Sequence, residues 1–200
     1  MIYIYGDSHA AASFKNLKLN HKNYHRRAIT MFRIGRDNII INFNKDTIIY
    51  DNDIIVLSYG EVDCRCHIQR QINNGRNEDD VVNDLVNNYY RSIRMNIVNT
   101  NCKIIIVGVI PPTKHSDYGA GIVDEYSSVG NDGDRVRYTN NVNKKLEEYA
   151  RPYNYIYFNP YSYYTREDGT LKHELSDSTV HLGDNSYFLE KFYEAYNSVV

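Results

Sequence analysis

The chain has no tryptophan, only four prolines, three cysteines and three methionines in 200 residues, and no long apolar run. Each shortage excludes something. An odd number of cysteines, Cys64, Cys66 and Cys102, with two of them two positions apart, is a poor disulfide framework and points to a reducing compartment. Cys64-Arg65-Cys66-His67 has no second ligand pair, so a metal cluster is the weaker reading of that segment and thiols beside a strand end the stronger. No stretch approaches the length of a membrane span, and Met1-Ile2-Tyr3-Ile4-Tyr5 is too short for the apolar part of a signal peptide and lacks a basic leader. The expectation is an intracellular, cytoplasmic protein whose chain begins with its first strand. A net charge of -2 lacks both the basic footprint of a nucleic-acid binder and that of a protein bound to an anionic membrane. The expected partners are small or neutral molecules, and the residues carry no marker of oligomeric state.

What is abundant is Asn, Ile and Tyr, with 20 tyrosines. Such a bias fits AT-rich coding and is a clue to source rather than to function. Two hundred residues suffice for one α/β domain spanning 1–200. Buried-strand candidates are Ile2 to Tyr5, Asn38 to Phe43, Asp53 to Tyr59, Lys103 to Ile110 and Tyr155 to Phe158. Ile54-Ile55-Val56-Leu57 and Ile104-Ile105-Ile106-Val107 are continuous rather than alternating apolar runs, as expected of parallel strands covered on both faces. Helical stretches lie between them, at about Ala10 to Leu17, Glu78 to Asn99, Asp134 to Ala150 and Asn185 to Ser198. In the second of these Val81, Val82, Leu85, Val86, Tyr89, Tyr90 and Ile93 recur at helical spacing behind Asn77 and an acid-rich first turn. Strand and helix alternate, which predicts a doubly wound fold.

Two segments stand outside this pattern. Pro111 to Gly133, with Pro-Pro and four glycines, follows the carboxyl end of a central strand, where open α/β sheets bind ligands, and reads as a substrate-facing loop or lid. Arg151 to Lys172 carries six tyrosines, which suit packing at a sheet edge better than stacking on a sugar ring.

The chemistry-bearing residues cluster at the two ends. Gly6-Asp7-Ser8-His9 follows the first strand, and Asp177-Ser178-Thr179-Val180-His181 precedes the last helix. A serine at a strand-to-helix turn needs a base within hydrogen-bond reach, and a late imidazole would supply it. A Gly-Asp-Ser by itself serves equally well as a plain helix cap. Of the other histidines, His9 would leave the helix start in a different direction from Ser8 and reads as a pocket-lining or capping residue. His173 is a rival to His181 that only geometry can separate.

In their order along the chain, Gly6-Asp7-Ser8-His9, Gly60-Glu61-Val62-Asp63 after the third strand, and the late segment ending at His181 resemble the SGNH/GDSL hydrolase superfamily over nearly the whole length. The resemblance implies a three-layer, flavodoxin-like sandwich with a central five-stranded parallel sheet, no metal or organic cofactor, and a glycan or small-molecule ester as substrate. It makes Ser8 the nucleophile and His181 the general base. It draws the oxyanion hole from the Ser8 N–H, from Gly35 in Phe32-Arg33-Ile34-Gly35, and from an asparagine in a Gly-x-Asn-Asp motif. The chain departs from the family twice. The acid partner is expected three residues before His181, where Ser178 stands, so Asp177 must reach from one residue further, with Asp184 or a Ser-His dyad as alternatives. Val62 occupies the asparagine position, and loss of one such donor costs about 3 to 4 kcal/mol of transition-state stabilisation. Glu61, Asp63 and Arg65 would then face substrate, with Arg65 either reaching the oxyanion or pairing with Glu61 or Asp63. The expected activity is cleavage of short, O-acetyl-type esters through an acyl-enzyme; a glycan O-acyltransferase and a catalytically degenerate binding domain are the alternatives.

Overall fold

The computed structural model describes residues 1–25, 29–38, 49–97, 100–117 and 127–200. Five strands, β1 (Ile2–Gly6), β2 (His21–His25), β3 (Ile54–Ser58), β4 (Lys103–Val107) and β5 (Ile156–Phe158), form one sheet in the order β2-β1-β3-β4-β5, and each adjacent pair is parallel. The helices are α1 (Ser8–Ser13), α2 (Met31–Asp37), α3 (Ile68–Asn73), α4 (Glu78–Ile97), α5 (Asp132–Ala150), α6 (Tyr161–Tyr164) and α7 (Ser186–Asn197). A wide π-helical turn, Asp63–His67, leads into α3.

Period-two alternation divides the central strands between two cores. Tyr3, Tyr5, Ile55, Leu57, Ile104 and Ile106 face one way, into a layer built from α2, α4 and α5. Ile2, Ile4, Ile54, Val56, Ile105 and Val107 face the other, onto α1 and α7, where Phe14, Phe188 and Phe192 fill the space. This is the expected three-layer sandwich, and its double coverage explains why the central strands read as unbroken apolar runs.

Some elements differ from the sequence expectation. The outer strand beside β1 is His-Lys-Asn-Tyr-His, a half-exposed edge with no apolar run to reveal it. The expected strand from Asn38 to Phe43 falls, beyond Asn38, outside the described residues, and Asn38 itself ends α2 in the left-handed region at φ 52°. Helix α1 stops at Ser13, short of Leu17, and Asn16 adopts a φ of 68°. Six tyrosines between 151 and 172 do pack largely on one another and on the fold. Tyr164 is fully buried, and Tyr153 and Tyr155 lie against Tyr90.

Gly6 ends β1 wedged between Ala10 of α1 and the end of β3. A Cβ there would collide with that of Ala10 and lie 2.6 Å from the Ser58 carbonyl oxygen, a backbone atom that cannot swing aside. Gly6→Ala is therefore expected to lower the unfolding free energy by about 1–3 kcal/mol. Urea denaturation checks it, and an unchanged midpoint would show that the turn has room to spare.

Candidate active site

The site lies at the carboxyl edge of the sheet, where β1 and β3 end. Asp7 caps α1 by accepting a 2.9 Å hydrogen bond from the His9 amide, and Ser8 becomes the first helical residue. Its N–H therefore precedes the helix's own bonding ladder, and its side chain is partly open to solvent.

The partner comes from the loop between residues 176 and 182, closed by a bridge between Ser176 and Leu182 and by a 3.0 Å bond from the Asp177 amide to the His181 carbonyl. Ser178 sits at φ 66°, in the left-handed region. That single conformation absorbs the extra residue, so Asp177 folds back onto the imidazole from four positions away. Asp177 Oδ2 lies 3.1 Å from His181 Nδ1, and His181 Nε2 lies 2.9 Å from Ser8 Oγ. The structure thus brings Ser8, His181 and Asp177 into one line of contacts. Asp184 instead accepts from the Ser186 amide at the start of α7, while exposed His173 faces Asp117 at 3.9 Å.

Supports for this loop come from residues that sequence reasoning passed over. The Thr179 amide and hydroxyl both donate to Asp177, and the hydroxyl lies 3.3 Å from His181 Nδ1. The Asp-x-Thr spacing is an Asx-turn signature and was the available signal. Thr113, in the segment expected to act as a lid, donates to the Thr179 carbonyl at 3.1 Å; residues 118–126 of that segment lie outside the described ones. Asn185 holds the start of α7 against α1 by donating to the carbonyls of Ser13 at 2.9 Å and Lys15 at 2.7 Å.

Electrostatics favour a neutral imidazole. Burial and the neighbouring His9 lower the pKa of His181 below its ordinary value, against the pull of Asp177. Burial works against ionisation of Asp177, but the hydrogen bonds from Thr179 and the contact with His181 outweigh it and hold the carboxyl below its usual range.

Four of the expected site residues take places away from a substrate. Gly35 is in the middle of α2, where an N–H bonds the carbonyl four residues earlier, so it is no oxyanion donor. Its lack of a side chain serves packing instead, because a Cβ would lie 2.8 Å from that of Asn88 on α4. Asp63 has no exposed surface and accepts from the amides of Met31 at 2.8 Å and Phe32 at 3.1 Å, capping α2 rather than facing substrate. Glu61 and Arg65 are buried too, and pair with each other at 3.2 Å. Burial opposes ionisation of Glu61, but Arg65 and His9 outweigh it and bring its pKa down to about 2. The other Glu61 oxygen lies 2.8 Å from His9 Nε2, so the charged block after β3 turns inward beneath the Ser-His contact. Val62 presents no polar side chain, and Cys66 is buried with its thiol against the Val62 carbonyl.

No protein-family profile and no curated protein sequence matches the chain. Solved structures do. A GDSL-like lipase from Bacteroides thetaiotaomicron superposes with a TM-score of 0.64 at 14% identity, over 100% of this chain and 88% of that one. A member of the lipolytic G-D-S-L family from Veillonella parvula gives 0.53 at 16% identity, over 98% and 96%. An extracellular lipase from Streptomyces rimosus gives 0.54 at 9%, over 100% and 99%. At these identities the likeness is one of fold, and the fold is that of the SGNH/GDSL hydrolases.

Burial raises the Asp63 pKa to about 7, against the two amide bonds that favour the carboxylate. A pKa raised in the folded state means stability that is full at acid pH and declines as pH climbs from about 4 to about 7. Asp63→Asn keeps one acceptor oxygen and cannot titrate, so its stability relative to the native protein should improve between about pH 5 and about pH 8. Urea unfolding at both pH values checks this, and a relative decline would reverse the assignment.

Proposed function

We propose that this chain, which has the fold of the SGNH/GDSL hydrolases, is a serine-dependent hydrolase of acyl esters. The observation that carries the reading is the continuous contact from Ser8 Oγ through His181 to Asp177, at 2.9 Å and 3.1 Å. His181 takes the Ser8 proton on Nε2 as Oγ attacks the ester carbonyl, and Asp177 fixes the tautomer with the proton on Nδ1. The tetrahedral intermediate places its negative charge near the Ser8 N–H. The imidazolium then returns its proton to the leaving alcohol, an acyl-serine remains, and water activated by the same imidazole releases the acid.

The resemblance of the site motifs to the SGNH/GDSL hydrolases supports a short acyl group, of the acetyl type and carried on a sugar or other small molecule, as the group cleaved. The cavity of about 10 Å³ bordering Asp7 and His9 has room for little more than one water and is lined by neither Ser8 nor His181, so it sets no limit on the acyl group. The cavity of about 200 Å³ is lined by Phe32, Gly35, Ile68, Val81, Leu85 and Asn88 on α2, α3 and α4, a different face of the molecule.

Steady-state hydrolysis of p-nitrophenyl acetate tests this reading. Ser8→Ala and His181→Ala should each lower kcat/KM by at least about 100-fold. Asp177 is partly exposed, so Asp177→Asn should cost less than the roughly 10⁴-fold carried by a buried partner. Because the base works when neutral and its pKa is lowered, kcat/KM should stay level through about pH 6.5 and fall only below it. Equal turnover by wild type and Ser8→Ala would end the proposal.

A further inference from the structure

His9 follows the nucleophile directly, and successive helical residues point about 100° apart. Ser8 therefore meets the edge of His181 at Nε2 while His9 lies against its ring, with centroids 4.6 Å apart and planes inclined by 46°. His9 is itself buried, 5% exposed, a place where an imidazole would ordinarily be neutral. It is not surrounded by apolar groups. Glu61 Oε2 lies 2.8 Å from its Nε2, and Glu61 is anchored from behind by Arg65 at 3.2 Å. These charges approach off the hydrogen-bond directions, so what holds the group together is charge and packing. Glu61 and Arg65 sit on consecutive turns of the segment after β3, while Asp7 and His9 belong to the segment after β1. The cluster thus joins the ends of the two neighbouring strands.

We propose that His9, held by Glu61 with Arg65 behind it, is a positioning residue that keeps the ring of His181 against Ser8 and sets a second, carboxylate-paired imidazole beside it. The assignment rests on His181 as the base. The groups around the pair act in consistent directions. On His9, burial and Arg65 oppose protonation, Glu61 and Asp7 favour it, and the carboxylates prevail. On His181, burial and His9 oppose protonation while Asp177 and Glu61 favour it. When protonated, His9 keeps the base free to accept the Ser8 proton at lower pH and drives the proton onward once the imidazolium has formed. This role also accounts for a glutamate and an arginine buried where no substrate reaches them.

The test is a pH titration of the histidine ring Cε1–H signals by NMR, on wild type, His9→Phe and Glu61→Gln. In wild type, His9 should titrate above the ordinary histidine value and His181 below it, with a second inflection in the His181 signal at the His9 midpoint. His9→Phe keeps a ring under His181 without the charge, and should move the His181 midpoint upward together with the acid limb of kcat/KM. Glu61→Gln should lower the midpoint of His9. The inference is overturned if the wild-type His181 signal shows no second inflection, a result that needs no variant to fold, or if folded His9→Phe leaves the His181 midpoint in place. Coupled titrations without ester turnover would sink the hydrolase reading and leave the cluster standing, whereas turnover with independent titrations would do the opposite.

Discussion

A single contact, 2.9 Å between Ser8 Oγ and His181 Nε2 across 173 positions of sequence, is what the rest of the molecule holds in place. Ser8 is fixed because β1 is an interior strand, paired on both sides, and ends in the Asp7 cap. His181 is fixed because α7 packs on the same face of the sheet as α1. Phe14 meets Phe188 and Phe192 edge-on at 4.9 Å each, and Asn185 ties the start of α7 to the end of α1. Aromatic burial sets the distance between the two helices, and the loop preceding α7 inherits it.

Around this contact the protein buries far more charge than a plain cap would need. Asp7, His9, Glu61, Asp63 and Arg65 are all at most 6% exposed. Burying such groups is unfavourable unless each finds a partner, and here the partners come from different segments. Asp63 reaches back to α2, and Glu61 bridges His9 and Arg65. The cluster ties the turn after β1 to the turn after β3, which makes removal of one member costly.

The parts of this arrangement legible in the sequence were those with a local physical signature. The unbroken β-branched runs of β3 and β4 announced a doubly covered parallel sheet, and Gly6-Asp7-Ser8 announced a turn into a helix. Strand β2 escaped because an edge strand that is half exposed needs no apolar run. A donor's role for Gly35 is all the sequence suggests, because a glycine's purpose lies in what approaches it, here α4, and that neighbour is distant in sequence. The pairing of Arg65 with Glu61 is one of the readings open in the sequence, whereas the burial of both, together with Asp63, is set by contacts with α1 and α2 that are distant in sequence. Asp177 is one of several acid partners the sequence allows, and it is the left-handed conformation of Ser178 that lets five residues close the span of four and bring Asp177 to His181.

A serine hydroxyl activated by a distant histidine would be captured covalently without knowledge of the substrate. Intact-mass analysis after exposure to a fluorophosphonate should show one adduct on the native protein, located on Ser8, and none on Ser8→Ala or His181→Ala. An unmodified native protein, or an adduct that persists in Ser8→Ala, would contradict that activation.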